Sequence, residues 1–440
     1  MSETIHIAYS LDDVYAEPTC VSMASMLANT KSKIHFHVIS NRLSDENKAK
    51  LSSLSERFSH GQWSFYGFKF DDKKFILPAH LTIETYYRFS LPTILPELDR
   101  IIYIDGDTIV NGEIAELWNE DLEGKAAGVV SAAISTDKRS KILDLKCDWH
   151  YFNAGVLLLD LKKISELYTL DNLPKIISVV FKKYVENNEP WFADQEIINY
   201  LMNGEKYAKY LNAKFNLEDI GYFLQFKNCR YLKEWTNFYN YPIIIHFIGP
   251  QKPWHLKASF MISGHWRLYY KYKALTPFYD PSDEKRIAEY ERREKITKTE
   301  ALLPIGTYIY FFWRDIFTDS AEYVKRIIGN RKLAFWGAGQ HITHIMIMFA
   351  SREIYPDVIV DGLGTNHGKE VFEYTVQPAE ILRGKTEEYF VVLCMESKQV
   401  SDTVIKILKE YGYDENGFLH AYAEAYEREN ELLLQEKNYV

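Results

Sequence analysis

At 440 residues the chain exceeds one ordinary domain, and two or three are expected. Its 47% apolar and 26% charged content excludes a disordered polymer and fits a folded protein. A formal charge of -9 excludes a general nucleic-acid binder, whose footprint is basic. Four cysteines (Cys20, Cys147, Cys229, Cys394) are widely spaced with no CxxC pair, so neither a zinc site nor a disulfide framework is indicated. Aromatic residues reach 15%, with 32 Tyr, a richness useful both in cores and at sugar-binding surfaces. A strand pattern begins almost at once without a signal peptide, and no apolar run reaches the roughly 18 residues of a membrane span. A reduced, cytoplasmic protein is expected.

Residues 5–9 (Ile-His-Ile-Ala-Tyr) read as a first strand, followed by the acidic loop Ser10-Leu-Asp12-Asp13-Val-Tyr15. A helix is expected through Val21 to Leu27. Ile34, Phe36 and Val38 alternate with His35 and His37, which predicts a second strand with structural histidines on its polar face. Ser44 to Phe58 reads as a helix, Trp63 to Tyr66 as a strand, and Thr82 to Leu91 as a helix. Ala126 to Val130 and Ala154 to Leu159 are further strands, and the polar segment 131–150 reads as a flap. Such strand–helix alternation predicts an α/β domain with a mainly parallel sheet. Ligands of such sheets bind beyond the carboxyl ends of the strands.

The stretch Arg100-Ile-Ile-Tyr-Ile-Asp105-Gly106-Asp107 has the most pointed chemistry. Four apolar residues make a strand buried on both faces, and its end carries two carboxylates separated by a glycine. Two like charges so close raise each other's pKa unless a cation joins them, and hard divalent cations accept several carboxylates. Two solvated acids in a turn are the plain alternative. Further on, Asp194-Gln195-Glu196 opens a helix with an apolar face of Ile197, Ile198 and Leu201. Ile243-Ile-Ile-His246 is a strand running into the turn Gly249-Pro-Gln-Lys252-Pro-Trp254.

In order, these blocks resemble glycosyltransferase family 8, the retaining GT-A enzymes typified by bacterial lipooligosaccharide galactosyltransferases and by glycogenin. The resemblance rests on residues 7–15, Thr85-Tyr-Tyr87-Arg88, Tyr103-Ile-Asp105-Gly106-Asp107, Tyr151-Phe-Asn153-Ala-Gly155, Asp194-Gln195-Glu196 and residues 246–255. It covers about residues 3–260. It implies a GT-A nucleotide-diphospho-sugar transferase fold, with Asp105, Asp107 and His246 holding Mn2+ (Mg2+ being the alternative). It further implies that Ser10, Asp12, Asp13 and Tyr15 hold uridine, that Gly249 and Lys252 close on the diphosphate, and that Gly106 belongs to the nucleotide-sugar site. Arg88, Asn153, Gly155, Asp194 and Gln195 would surround the transferred sugar, and Arg88, Asn153, Asp194 and Gln195 are the expected catalytic set. Val14 stands where relatives often carry Asn. The donor implied is a UDP-hexose, galactose or glucose, and the acceptor a glycan on a lipid, polysaccharide or glycoprotein at the inner face of the membrane. A catalytically silent sugar-nucleotide-binding partner subunit is the rival reading.

Beyond residue 260 the resemblance fades. Trp266, Tyr269, Tyr270 and Tyr272, interleaved with Arg267, Lys271 and Lys273, suggest a helix packing on the catalytic domain, with a membrane-surface stripe as the alternative. Residues 281–300 read as a mixed-charge helix, and Tyr308 to Trp313 as an apolar segment for a core or interface. From Lys332, a strand, the turn Gly337-Ala-Gly339, a helix and a second strand ending in Asp361 resemble a small Rossmann-like module without its third glycine. Packing or oligomerisation is its expected role, with nucleotide binding the other. The domains expected are 1–260 (GT-A), 261–328 (helical extension) and 329–440 (Rossmann-like).

Overall fold

A computed structural model of the protein describes residues 4–69, 75–78, 81–132, 137–147, 150–219, 241–249, 252–255, 265–299, 325–339, 342–350, 354–395 and 397–420. The apolar segment Tyr308 to Trp313 lies outside these residues, as does the stretch after Tyr422, whose acidic composition reads as a solvated helix or frayed end. The chain divides into two compact units: Met1–Asn228 with Tyr241–Tyr290, and Cys229–Asn240 with Glu291–Val440.

The first unit is built on a seven-stranded sheet. Its strands are β1 (Ile5–Ser10), β2 (Ile34–Ile39), β3 (Gly61–Tyr66), β4 (Arg100–Ile104), β6 (Ala127–Ser131), β7 (Phe152–Asp160) and β8 (Ala208–Tyr210), in the spatial order β3-β2-β1-β4-β7-β6-β8. Neighbours among β3, β2, β1 and β4 pair in parallel, as do β6 and β8, while β7 runs antiparallel to both its neighbours. The expected GT-A-like α/β architecture is therefore present, with a mostly parallel sheet. A second sheet, β5 (Thr108–Val110), β9 (Leu217–Glu218) and β10 (Ile244–His246), places β10 between the other two. Alternation decides what each face buries. Ile102 and Ile104 enter one core with Ile5, Ile7 and Tyr9, while Ile101 and Tyr103 enter the other with Leu157 and Leu159.

Helix α1 (Ala16–Asn29) follows the first acidic loop, and α2 (Asp45–Ser52) is shorter than the Ser44–Phe58 expectation because a 3-10 turn, Ser53–Glu56, ends it. The Thr82–Leu91 segment forms not an α-helix but an eight-residue 3-10 helix, Ile83–Ser90. Its tighter winding eclipses residues three apart, which brings Thr85 and Arg88 to one side. Helix α3 (Leu173–Glu186) packs beside α4 (Asp194–Met202). In the segment read as a flap, Asp137–Ile142 is helical. Its Arg139 is ion-paired to the fully buried Glu196 of α4 and lies 4.0 Å over the Phe192 ring, so this part is bound to the core.

Helix α5 (Trp266–Lys273) buries Trp266, Tyr269, Tyr270 and Tyr272 and packs against α1. Its aromatic face is thus an intramolecular contact, which removes the membrane-surface reading of that stripe. The buried Lys273 ammonium lies 2.8 Å from Glu17 of α1 and 3.0 Å from Asp283, at the start of α6 (Pro281–Thr299).

The second unit has a five-stranded, wholly parallel sheet. Its strands are β11 (Lys332–Trp336), β12 (Val358–Asp361), β15 (Gln377–Pro378), β16 (Tyr389–Leu393) and β17 (Phe418–His420), ordered β15-β12-β11-β16-β17. A hairpin of β13 (Glu370–Val371) and β14 (Tyr374–Thr375) lies between β12 and β15 in sequence. Helices α7 (Ile342–Ala350) and α8 (Lys398–Glu410) complete the Rossmann-like pattern expected of this segment. The two Asp361 carboxylate oxygens accept from the Ala338 and Leu363 amides, both at 2.7 Å, which joins the glycine turn to the following loop.

Candidate active site

In the first unit the winding direction changes between β1 and β4. That switch point is where an open α/β sheet leaves a crevice beyond its strand ends. β1 ends there at Ser10 and β4 at Ile104, so both acidic segments reach it. The Asp105-Gly106-Asp107 turn is pressed against α1: a Cβ on Gly106 would lie 2.2 Å from Thr19 Oγ1. Any larger residue here would have to displace the Thr19 side chain. A hydroxyl chain, Tyr9–Ser22–Thr108, runs from β1 through α1 to Asp105 O, with spacings of 2.9, 2.8 and 3.0 Å.

Asp105, Asp107 and His246 converge: one ligand atom from each lies within 4.8 Å of the others. β10 pairs antiparallel with β5, with His246 opposite Thr108, and so holds the imidazole over the acidic turn. Its Nε2 is 3.2 Å from Asp107 Oδ1 and 3.9 Å from Asp105 Oδ2. His246 Nδ1 lies 3.1 Å from Asn216 Oδ1, which orients the ring with Nε2 toward the acids. Gly155 makes room for this arrangement. A Cβ there would lie 2.1 Å from His246 Cε1 and 2.8 Å from Asp105 Oδ2. Two carboxylates, one imidazole and a cradle that a methyl group would fill suit a divalent cation of mixed oxygen and nitrogen preference.

Charge around the cluster is closely matched. Lys252 Nζ contacts Asp107 Oδ2 and donates to Phe247 O at 2.6 Å, on a turn whose Gly249 has φ +79°. Burial disfavours the Asp107 carboxylate, but the Lys252 and His246 charges outweigh it and hold its pKa below the usual range. Burial likewise opposes an imidazolium at His246, and the two aspartates override that, raising its pKa.

Arg88 links this cluster to a second one. Its buried guanidinium donates to Asp105 Oδ1 at 2.9 Å and Ala154 O at 2.6 Å, pairs with Asp194 Oδ2 at 3.0 Å, and lies 4.2 Å over the Tyr103 ring. Asp194 Oδ1 accepts from Thr85 at 2.6 Å, so the eclipsed Thr85 and Arg88 grip both oxygens of one carboxylate. Burial raises the Asp194 pKa against the pull of Arg88 and Thr85. The residue before it, Ala193, is fully buried at φ 53°, ψ -113°, a conformation that costs a non-glycine residue about 1–3 kcal/mol. Gln195 follows, with Oε1 3.2 Å from the Ala154 amide and 3.3 Å from Asn153 Nδ2, and Nε2 3.0 Å from Tyr151 Oη. Asn153 Oδ1 in turn accepts from Gly155 N at 2.8 Å and Asn216 Nδ2 at 3.0 Å. An amide relay therefore connects Gln195 to His246 through Asn153 and Asn216.

The first loop contributes unevenly. Tyr15 is near the acids, and its edge faces Trp254 with ring centres 6.4 Å apart. Ser10 Oγ is buried without a hydrogen-bond partner among the described residues. Asp12 Oδ1 caps the turn by accepting from Val14 N and Tyr15 N at 3.1 and 3.2 Å, leaving Oδ2 3.8 Å from Arg42. Asp13 Oδ1 accepts three bonds of 2.8–3.0 Å from Ser44 and Asn47, which fastens the loop to α2. Asn216 is the member that sequence reasoning missed. It is fully buried, and its only written signal is an amide between the apolar Phe215 and Leu217.

Residues 6–258 match the family model described as Glycosyl transferase family 8, more than half of the chain. The chain belongs to glycosyl transferase family 8. As a member of that family it is a glycosyltransferase of the UDP-sugar-dependent kind that acts on glycan acceptors. A relative from Haemophilus influenzae described as a glycosyltransferase is 30% identical over 264 residues, 59% of this chain and 75% of its own. The lipopolysaccharide 1,2-glucosyltransferase of Escherichia coli K12 is 27% identical over 308 residues, covering 67% of this chain and 85% of that one. Among solved structures, the galactosyltransferase LgtC in complex with donor and acceptor sugar analogues superposes with a TM-score of 0.53 at 24% identity, over 64% of this chain and 100% of its own. That likeness bears on the fold. Among the described residues, no helix is long and apolar enough to cross a membrane.

Proposed function

We propose that this family 8 enzyme is a retaining hexosyltransferase. It moves galactose or glucose from UDP to a hydroxyl of a bacterial surface glycan, with Mn2+, or alternatively Mg2+, held by Asp105, Asp107 and His246. The observation that carries this reading is the convergence of those three side chains at the sheet's switch point, joined through Arg88 and Asn216 to Asp194, Asn153 and Gln195. Similarity to a lipopolysaccharide 1,2-glucosyltransferase and, at 26% identity, to a lipopolysaccharide 1,3-galactosyltransferase of Salmonella typhimurium supports a hexose donor and a surface-glycan acceptor. When bound, the cation supplies Lewis-acid stabilisation of the charge that builds on the departing diphosphate.

The chain's own residues do the rest. Lys252 brings a compact point charge to the same edge, on a turn beside the Tyr15 loop. Tyr15 and Ser10 offer an aromatic face and an unpartnered hydroxyl to the nucleoside. Arg88 keeps Asp194 and Asp105 fixed, and Asn153 orients the amide of Gln195 toward the sugar.

The two groups that could form a covalent glycosyl intermediate are both engaged. Asp194 has each oxygen held, and Gln195 Oε1 accepts two hydrogen bonds. Such groups suit electrostatic support of an oxocarbenium-like centre better than attack on it. The reading is therefore same-face displacement. The acceptor oxygen bonds to the anomeric carbon as the bond to the UDP oxygen breaks, and that departing oxygen takes the acceptor's proton.

Incubating the protein with Mn2+ and a panel of UDP-sugars, with and without fractionated surface glycans, tests the reading. Release of UDP from one UDP-hexose, increased by an acceptor that gains the sugar, is expected. UDP binding with no transfer to any fraction would instead favour a silent partner subunit.

A further inference from the structure

A second cluster of metal-ligating side chains lies away from the active site. β1 and β2 pair in parallel register, with His6 opposite His35 and Ala8 opposite His37. The two-residue period therefore puts all three imidazoles on one face of the sheet. His6 Nδ1 lies 2.9 Å from His37 Nε2, and ring centres are separated by 4.2 to 5.6 Å. One ligand nitrogen from each falls within 4.8 Å of the other two. The opposite nitrogens are anchored: His35 Nε2 lies 2.8 Å from Ser64 Oγ, and His37 Nδ1 lies 3.0 Å from Tyr66 Oη. This is the support that metal-bound imidazoles receive, one ring nitrogen fixed so that the other can ligate.

We propose that His6, His35 and His37 form a second cation site, one for a nitrogen-preferring divalent ion of the zinc class. An all-imidazole set favours Zn2+, Co2+, Ni2+ or Cu2+ over Mn2+ and Mg2+, the reverse of the carboxylate-rich site at Asp105 and Asp107. Zinc–nitrogen bonds of about 2.0–2.1 Å in a tetrahedron separate the nitrogens by roughly 3.3 Å. The 2.9 Å contact need open only slightly for an ion to replace the proton that His6 and His37 share. His6 and His35 are half-buried, so the cluster is not sealed in the core. Four residues of strand, about 13 Å, separate His6 from Ser10 at the active-site end of β1. An ion here would clip β1 to β2 without touching the donor.

Co2+ is the probe. Full-length protein carrying Asp107→Ala, which removes the first site, is titrated with Co2+ and followed by visible absorption. Binding of one Co2+ per chain is expected, with the intense bands of tetrahedral nitrogen coordination, and with displacement by Zn2+ but not by excess Mn2+. Adding His35→Asn, or separately His6→Asn, should weaken Co2+ binding by about tenfold or more and abolish the bands, with circular dichroism unchanged. Absence of Co2+ binding to the Asp107→Ala protein would overturn the proposal. Unaltered bands in both histidine variants would equally overturn it, and would leave a hydrogen-bonded imidazole stack.

Discussion

Asn216 is the residue on which the site's geometry turns, because one amide meets both His246 Nδ1 and Asn153 Oδ1. Outer hydrogen bonds of this kind typically change metal affinity by 10–100-fold when removed. Asn216→Ala is accordingly expected to weaken Mn2+ binding by roughly that factor while leaving thermal stability within about 2 kcal/mol. Mn2+ titration beside thermal unfolding checks both. Gly155→Ala is expected to be worse, because its methyl group would occupy the place of the His246 ring. Loss of metal-dependent UDP release, with about 1–3 kcal/mol of destabilisation from overpacking, is the predicted outcome. The acid pair stood out in the sequence because two carboxylates at the end of an apolar strand need a reason to be there, whereas His246, a lone histidine in an apolar run, was singled out only by the resemblance to family 8. Asn216 was not legible, since a lone Asn beside a two-residue strand looks like any turn residue. Asp13, which the resemblance placed at the uridine, also has a structural task that the sequence did not announce: its Oδ1 fastens the loop to α2.

At the scale of the element, the Asp137–Ile142 helix and α4 are joined through a buried acid. Burial raises the Glu196 pKa to about 7, against the opposing influence of Arg139 and Tyr184. Its ordinary value is 4.5, so between pH 4.5 and about 7 the folded chain binds more protons than the unfolded one. Stability from this group is present at low pH and is lost as pH rises through that window, on the order of 3 kcal/mol in all. Glu196→Gln should flatten that part of the pH–stability profile, as measured by denaturant unfolding from pH 5 to 8. An unchanged slope would show that Arg139 keeps Glu196 ionised throughout. Helix α4 was readable from its apolar face of Ile197, Ile198 and Leu201, whereas the Asp137–Ile142 helix was not, its polar segment having read as a flap. Nor was the 3-10 form of Ile83–Ser90, because over eight residues a pattern of apolar positions fits either helix type. What selects the tighter form is tertiary: Thr85 and Arg88 must both reach Asp194.

For the whole molecule, strand–helix alternation made both α/β sheets legible, and the order of the motifs made the family legible. Helix α5 shows what composition alone leaves open, since Trp266 and its tyrosines suit a membrane surface as well as a core. Burial against α1 and the Lys273–Glu17–Asp283 cluster decides for the core. A chain ending at residue 260 should lose stability in denaturant unfolding, because it lacks α5 and the contacts that α5 makes with α1. The most direct test of the central claim is calorimetric titration of UDP into full-length protein, with and without Mn2+, alongside Asp107→Ala. The account predicts binding that Mn2+ strengthens by at least about tenfold in the natural sequence and leaves unchanged in the variant. Equal, metal-insensitive UDP binding by both proteins would contradict it.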